Sequence, residues 1–270
     1  EWKDEMFLNY TIKRKDIHRS EKKGEILVAD GTTNIHPVWS PNEEKFAYLS
    51  NQKNDYFGQT DLFIYSFSDS TSEKIAGGVK TAPNWMNDST IIYTKRSKPD
   101  NRGSKYFDLY RYTFTDEEEQ RLTHNSRLIS PVYNIAENSI AAITSYDGTS
   151  NIMISSNIDI TQDTLIFRAI TYLDNGIQLL SLAWSENTLL VDGVYHQGRQ
   201  IYNVDIENGI LDPVTSGRWE NRDQILTSRR MIYTTDKSGI NNLILEKDGV
   251  QNYITNVIGG AFMPSISSDG

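Results

Sequence analysis

The chain has 270 residues and no cysteine, which excludes disulfides, thiol catalysis and cysteinyl metal sites. A hydrophobic share of 37% with 11% aromatics is enough for a core and argues against disorder, and a formal net charge of −9 argues against a nucleic-acid partner. No apolar run approaches the roughly 18 residues of a membrane-crossing helix; residues 177–184, among the longest, are interrupted by Gln178 and Ser181. The opening Glu1-Trp2-Lys3-Asp4-Glu5 has neither an initiator Met nor a basic-then-apolar leader, and reads as the start of a mature or excised part of something larger.

In chain order, residues 6–11, 16–20 and 25–29 are three short strand candidates that take their place only from the repeat beginning at residue 35. Ile35-His36-Pro37-Val38-Trp39-Ser40-Pro41 runs through a polar turn into Phe46-Ala47-Tyr48-Leu49, a strand–turn–strand pattern. It returns at Ala82-Pro83-Asn84-Trp85, at Ser130-Pro131-Val132-Tyr133, at Leu182-Ala183-Trp184 and at Met263-Pro264-Ser265. Taking positions 37, 83, 131, 182, 223 and 264 as equivalent gives steps of 46, 48, 51, 41 and 41 residues. Each step has room for four short strands, the size of one propeller blade.

A second landmark tests that register. Each unit carries a polar residue followed by an alternating apolar run: Asp61-Leu62-Phe63-Ile64, Asp108-Leu109-Tyr110, Asn151-Ile152-Met153-Ile154, Gln200-Ile201-Tyr202 and Asn242-Leu243-Ile244. Turn pairs flank these runs at Asn208-Gly209, Asp248-Gly249 and Asp147-Gly148. A closing strand comes next, as in Gln120-Arg121-Leu122-Thr123, Pro213-Val214-Thr215 and Tyr253-Ile254-Thr255. On this grid the N-terminal candidates fall where strands B, C and D belong, and residues 264–270 supply a lone strand A. The expectation is an all-β, six-bladed propeller of four-stranded antiparallel blades, forming one domain over residues 1–270. Its blades would cover about 37–82, 83–130, 131–181, 182–222 and 223–263, with the sixth shared between 264–270 and 1–36.

Pro37-Val38-Trp39-Ser40-Pro41 with Phe46-Ala47-Tyr48, Arg121-Leu122-Thr123 and Ser267-Ser268-Asp269-Gly270 resembles the TolB-type, WD-repeat-like β-propeller repeat. The resemblance spans nearly the whole chain, clearest in the first two units and weakest between residues 150 and 230. It implies the fold. It also implies three settings: protein-binding modules of bacterial envelopes, companions of serine peptidase domains, and companions of outer-membrane barrels. A periplasmic or otherwise extracytoplasmic location is implied by the resemblance alone. Nothing here corresponds to the domain that precedes the propeller in TolB itself.

Catalytic signatures are missing. There is no Gly-x-Ser-x-Gly elbow, phosphate-cradling loop, His-Glu-x-x-His or calcium loop. Of the four histidines, His18, His36, His124 and His196, only His36 sits beside an inner strand, so no metal or other cofactor is expected. The recurring Trp39, Trp85, Tyr133 and Trp184 read as packing between blades rather than as a sugar platform. The run Asp116-Glu117-Glu118-Glu119 reads as a solvated tip.

Function is expected on one face of the disc. The A–B and C–D connections hold most acidic loop residues, whereas the B–C and D–A connections are comparatively basic. Lys80, Arg127 and Arg222 precede predicted inner strands, and His36 takes the matching place in the first unit. Lys98, Arg102 and Lys105 extend the patch along a long loop that also carries Tyr106 and Phe107; Tyr56 and Phe57 lie in the preceding long loop. The reading is a non-catalytic protein- or ligand-binding module of a larger bacterial envelope protein. Its partner would be a protein or peptide with an acidic surface, with no nucleic acid and no membrane insertion by this domain. The alternative is the propeller of an enzyme: the gating domain of a serine peptidase, or a lyase or hydrolase with its site at the channel mouth.

Overall fold

The computed structural model describes every residue except 1, 16–23, 57, 147, 160–161, 196–197, 228–229, 258 and 268–270, and omits the side chains of 9–15. A helix, α1 (Trp2–Lys15), comes first. The first blade holds β1 (Asn34–Trp39), β2 (Lys45–Ser50), β3 (Asp61–Ser66) and β4 (Thr71–Gly77). The second holds β5 (Asn84–Asn87), β6 (Thr90–Arg96), β7 (Phe107–Thr113) and β8 (Glu118–Arg121). The third holds β9 (Leu128–Asn134), β10 (Ser139–Tyr146), β11 (Thr149–Ser156) and β12 (Arg168–Ala169). β13 (Gln178–Ser185), β14 (Thr188–Val194), β15 (Arg199–Val204) and β16 (Leu211–Pro213) make the fourth. The fifth is β17 (Asn221–Thr227), β18 (Arg230–Thr235), β19 (Asn242–Lys247) and β20 (Val250–Tyr253).

Each sheet is an antiparallel meander, and neighbouring sheets bury their faces against each other. That is why the middle strands are apolar on both sides. Ala47, Leu49, Leu62 and Ile64 of the first blade meet Trp85, Ile91 and Tyr93 of the second, all buried. Among the recurring aromatics Trp85 packs between blades: it lies against Ala47 and Leu49 of the preceding blade and donates from Nε1 to the Val38 carbonyl there at 3.1 Å, whereas the Trp39 ring meets Phe46 and Phe67 of its own blade. Turn chemistry matches the sequence as well. Asp248 and Gly249 both take left-handed backbone in the two-residue β19–β20 hairpin. At Gly209 (φ 71°) a Cβ would lie 2.1 Å from the Ile170 carbonyl oxygen, so the residue must be glycine.

The polar residue heading each third strand closes a clasp onto the fourth. Thr123 Oγ1 donates to Asp108 and accepts from the Leu109 amide; Thr171, Thr215 and Thr255 do the same with Asn151, Gln200 and Asn242. A hydroxyl that both donates and accepts, buried at Thr123, Thr171 and Thr215, ties the short outer strand to its neighbour where the ladder ends. In the first blade Asp61 instead takes the Gly78 amide and the Lys74 ammonium.

The expected sixth blade is not formed: the described residues make five four-stranded sheets. Residues 6–11, expected as a strand, lie in α1. The physical reason is in the letters. Met6-Phe7-Leu8 is a contiguous apolar triplet without period-two alternation. Asp4 and Glu5 occupy the first turn, and Lys13, Arg14 and Lys15 the last, matching the helix dipole. The second strand candidate, residues 16–20, lies outside the described residues. The third, residues 25–29, forms no strand. Val28 there packs against the outer aromatic cluster of the first blade, Phe46, Tyr48, Phe63 and Tyr65. At the other end, Met263, Pro264 and Ser265 reach the inner position of the ring, and Ser265 Oγ accepts from the Trp39 amide at 3.3 Å. They form no strand and no sheet stands behind them among the described residues.

Candidate functional site

The inner strands enter the ring through a repeated irregularity. Register shifts occur in β1, β9, β13 and β17 near their starts, and His36, Ser130 and Asp223 adopt left-handed φ of 54°, 51° and 54° there. Met263 does so too, at 50°. A bulge re-aims side chains, and here it gathers these residues at one end of the channel. Pairing of Ile225 with Ile232 and of Leu226 with Met231 puts Gln224, rather than Asp223, in the place of Pro37. Hydrogen bonds link successive inner strands: Ser130 N to Thr81 Oγ1, Leu182 N to Ser130 Oγ, and Gln224 Nε2 to the Ser181 carbonyl, each at 3.1 Å.

This end holds a cavity of about 420 Å³. Behind its lining lies a buried carboxylate, Asp192 of β14, which accepts from Arg199 at 2.7 Å, from Ser181 N and Oγ at 2.9 Å each, and from Asp223 N at 3.1 Å. Burial pushes the Asp192 carboxyl above its ordinary range, against the opposing pull of Arg199. Arg199 also lies 3.9 Å from Asp223, and Arg222 lies 3.7 Å from Asp223 and 4.0 Å from Glu220. The cations at the mouth are therefore matched by carboxylates.

The sequence-derived candidates divide. His36 and Arg222 line this cavity; Lys80 and Arg127 do not. Arg222 sits within β17 rather than before it and covers the Phe262 ring at 5.3 Å. Lys80 is exposed between β4 and β5. Arg127 lies over the rings of Tyr106 and Tyr146, at 5.2 and 5.5 Å. Lys98, Arg102 and Lys105 are exposed on the β6–β7 loop, which is built on Asp100: its carboxylate accepts from the amides of Arg102 and Ser104, both at 2.8 Å. Tyr56 is exposed, and Phe57 lies outside the described residues. Sequence reasoning missed Arg199 and Asp192. The available signal was an acid inside Leu189-Leu190-Val191-Asp192-Gly193-Val194, at the position filled by Leu49 and Ile143 in other blades.

On the opposite face, Glu119 is more than a solvated tip, since it accepts from Tyr93 and Lys95. Among the described residues no group of three or more His, Asp or Glu is placed to hold a metal, and no helix is long and apolar enough to cross a membrane. His18 and His196 lie outside the described residues; His124 is exposed.

Burial lowers the His36 pKa from its ordinary 6.5; the Asp223 carboxylate opposes this and Arg199 adds to it. The unfolded chain thus takes up this proton first as pH falls, so His36 removes stability below about pH 6.5 until its folded-state pKa is passed. His36→Asn, which tolerates the left-handed backbone, should flatten the stability slope just below about pH 6.5 in urea melts. An unchanged difference curve would show that His36 is not the titrating group.

No protein-family model matches the chain, and no curated protein matches it in sequence. Among solved structures the fold is similar to TolB from Acinetobacter baumannii, with a TM-score of 0.66 and 16% identity over 90% of this chain and 59% of that one. It is similar to a putative TolB from Agrobacterium tumefaciens, with a TM-score of 0.62 and 12% identity over 85% and 83%. It is also similar to the β-propeller domain of the Trilobed protease from Pyrococcus furiosus, of open velcro topology, with a TM-score of 0.52 and 11% identity over 82% and 84%. The chain thus spans 59% of the length of the first of these, and at such identities the likeness is one of fold. The chain is a β-propeller whose structural neighbours include TolB-type propeller proteins.

Proposed function

We propose that the chain is a non-catalytic binding module that docks an acidic protein or peptide on the face carrying the B–C and D–A loops. It would belong to a larger bacterial envelope protein outside the cytoplasm, a setting supported by the TolB-type resemblance. The observation that carries the docking face is the set of exposed cations Lys80, Lys98, Arg102 and Lys105, beside Arg127 with Tyr106 and Tyr146. Exposed cations beside aromatic rings supply steering and contact area together.

The test uses poly-L-glutamate as an acidic probe. Single exposed pairs contribute about 0.2–1 kcal/mol, so the four cations are reversed to Glu together. The expected result is a slower association and a flatter dependence on ionic strength. Arg222 and Arg127 are left intact because one is tied to carboxylates and the other to rings. A control reversing Glu117, Glu118 and Glu137 to Lys should not slow association. If the fourfold variant associates like the wild type, the face is wrong.

The second reading, the propeller of a serine peptidase, is supported by the fold likeness to the β-propeller domain of the Trilobed protease. A parent chain continuing into a Gly-x-Ser-x-Gly segment would favour it.

A further inference from the structure

Buried polar atoms that make no hydrogen bond are few among the described residues, and several of them meet at the channel mouth. Arg199 Nε, Arg222 Nε, Asp223 Oδ2 and Gln224 Oε1 belong to residues lining the same cavity. Gln224 is 4% exposed. Buried groups of this kind are normally satisfied, so a cluster of them in a roomy site marks where a ligand's polar atoms belong.

Their chemistry narrows the ligand. Two are N–H donors and two are acceptors. The charges are already compensated, by Arg199 with Asp192 and Asp223 and by Arg222 with Asp223 and Glu220. Two guanidiniums face three carboxylates, of which Glu220 is half exposed to water, so no positive charge is left over to select an anion. Arg222 Nε and Asp223 Oδ2 stand 3.7 Å apart, too far to bond each other and close enough for one atom to bridge. A hydroxyl does so by accepting from the first and donating to the second. Around these groups the wall is apolar, with Val38, Val132, Leu182 and Ile225, which suits C–H surfaces. The volume, about 420 Å³, lies within the range of about 300–1,000 Å³ typical of small-molecule sites.

We propose that the channel mouth binds a small neutral polyhydroxylated ligand, of monosaccharide or cyclic-polyol type, through Arg222, Asp223, Gln224 and Arg199. The site uses residues other than the four docking cations, so its test and theirs can fail separately.

The experiment is saturation-transfer NMR on the 270-residue chain with glucose, galactose, N-acetylglucosamine and myo-inositol, and then calorimetry on any ligand that binds. Succinate and glycine serve as charged comparators. At least one neutral probe should bind at millimolar concentration, and Gln224→Met should weaken it about tenfold, the order of one lost hydrogen bond. Asp223→Asn, which keeps the shape and the left-handed tolerance, should weaken it as well. Thermal melts identify a variant that has lost its fold, in which case the other decides. Absence of binding by all four neutral probes overturns the proposal, as does tighter binding of succinate or glycine. So does binding that neither folded variant weakens.

Discussion

Replacing Asp108 by Ala is expected to lower stability by about 3–5 kcal/mol, the range for breaking a buried ion pair by removing one partner. The Asp108 carboxylate is fully buried and accepts from Arg121 at 2.6 Å, from Thr123 Oγ1 at 3.1 Å and from the Ser126 amide at 2.9 Å. Removing it takes away three bonds at once and leaves a cation and two donors short of an acceptor. Arg121 is 29% exposed, so water recovers part of its solvation and the loss should fall at the lower end of the range. Asp108→Asn keeps an acceptor for Thr123 and should cost less. The measurement is urea unfolding monitored by fluorescence and circular dichroism. A loss below about 1 kcal/mol would mean that the clasp is not what secures the outer strand.

That clasp shows what is legible in a repeat. The polar residues heading the alternating runs at 61, 108, 151, 200 and 242 read as punctuation, and they are the acceptors that hold each third strand to the segment after it. Their regularity, with the two-residue turn at 248–249, locates the five blades because each is a local backbone requirement, whereas 208–209 falls in the longer loop between Val204 and Leu211. The sixth unit fails because position on a grid says nothing about period. Met6-Phe7-Leu8 does not alternate, and residues flanked by dipole-matched charges take up α1. At the C-terminus the repeat is real but partial: Met263 has the backbone conformation of His36 and reaches the ring without a described sheet behind it.

The site is less legible than the fold. His36 and Arg222 are placed near the channel by their offset from the repeat, which is a backbone property. Whether a cation there is free depends on strands from elsewhere in the chain. Arg222 meets Asp223 and Glu220, and Arg199 meets Asp192, within the stretch where the repeat is weakest. A count of charges per face therefore overstates the mouth's basic character. It does pick out Lys80, Lys98, Arg102 and Lys105 as loop cations, and all four are exposed.

Trp85→Ala should destabilise by about 3–5 kcal/mol, the usual cost of emptying a buried Trp site. Trp85 is 7% exposed at the seam between the first and second blades, where its ring stacks on Phe114 and its Nε1 reaches back to the Val38 carbonyl. A conservative variant separates the ring from the hydrogen bond. Trp85→Phe keeps most of the stacking and loses the bond, so it should cost about 1 kcal/mol for that bond in addition to the lost ring area. Trp184 takes the same place in the fourth blade, but its Nε1 has no partner among the described residues, and it packs on the buried cluster that holds Val132, Leu182 and Leu189. Removing an unpaired buried N–H relieves a cost, so Trp184→Phe should be clearly milder than Trp85→Phe. Parallel urea titrations at matched protein concentration provide the comparison. Equal losses at the two positions would show that ring size alone sets the energetics of this seam, and that the cross-blade hydrogen bond contributes nothing to holding neighbouring blades together.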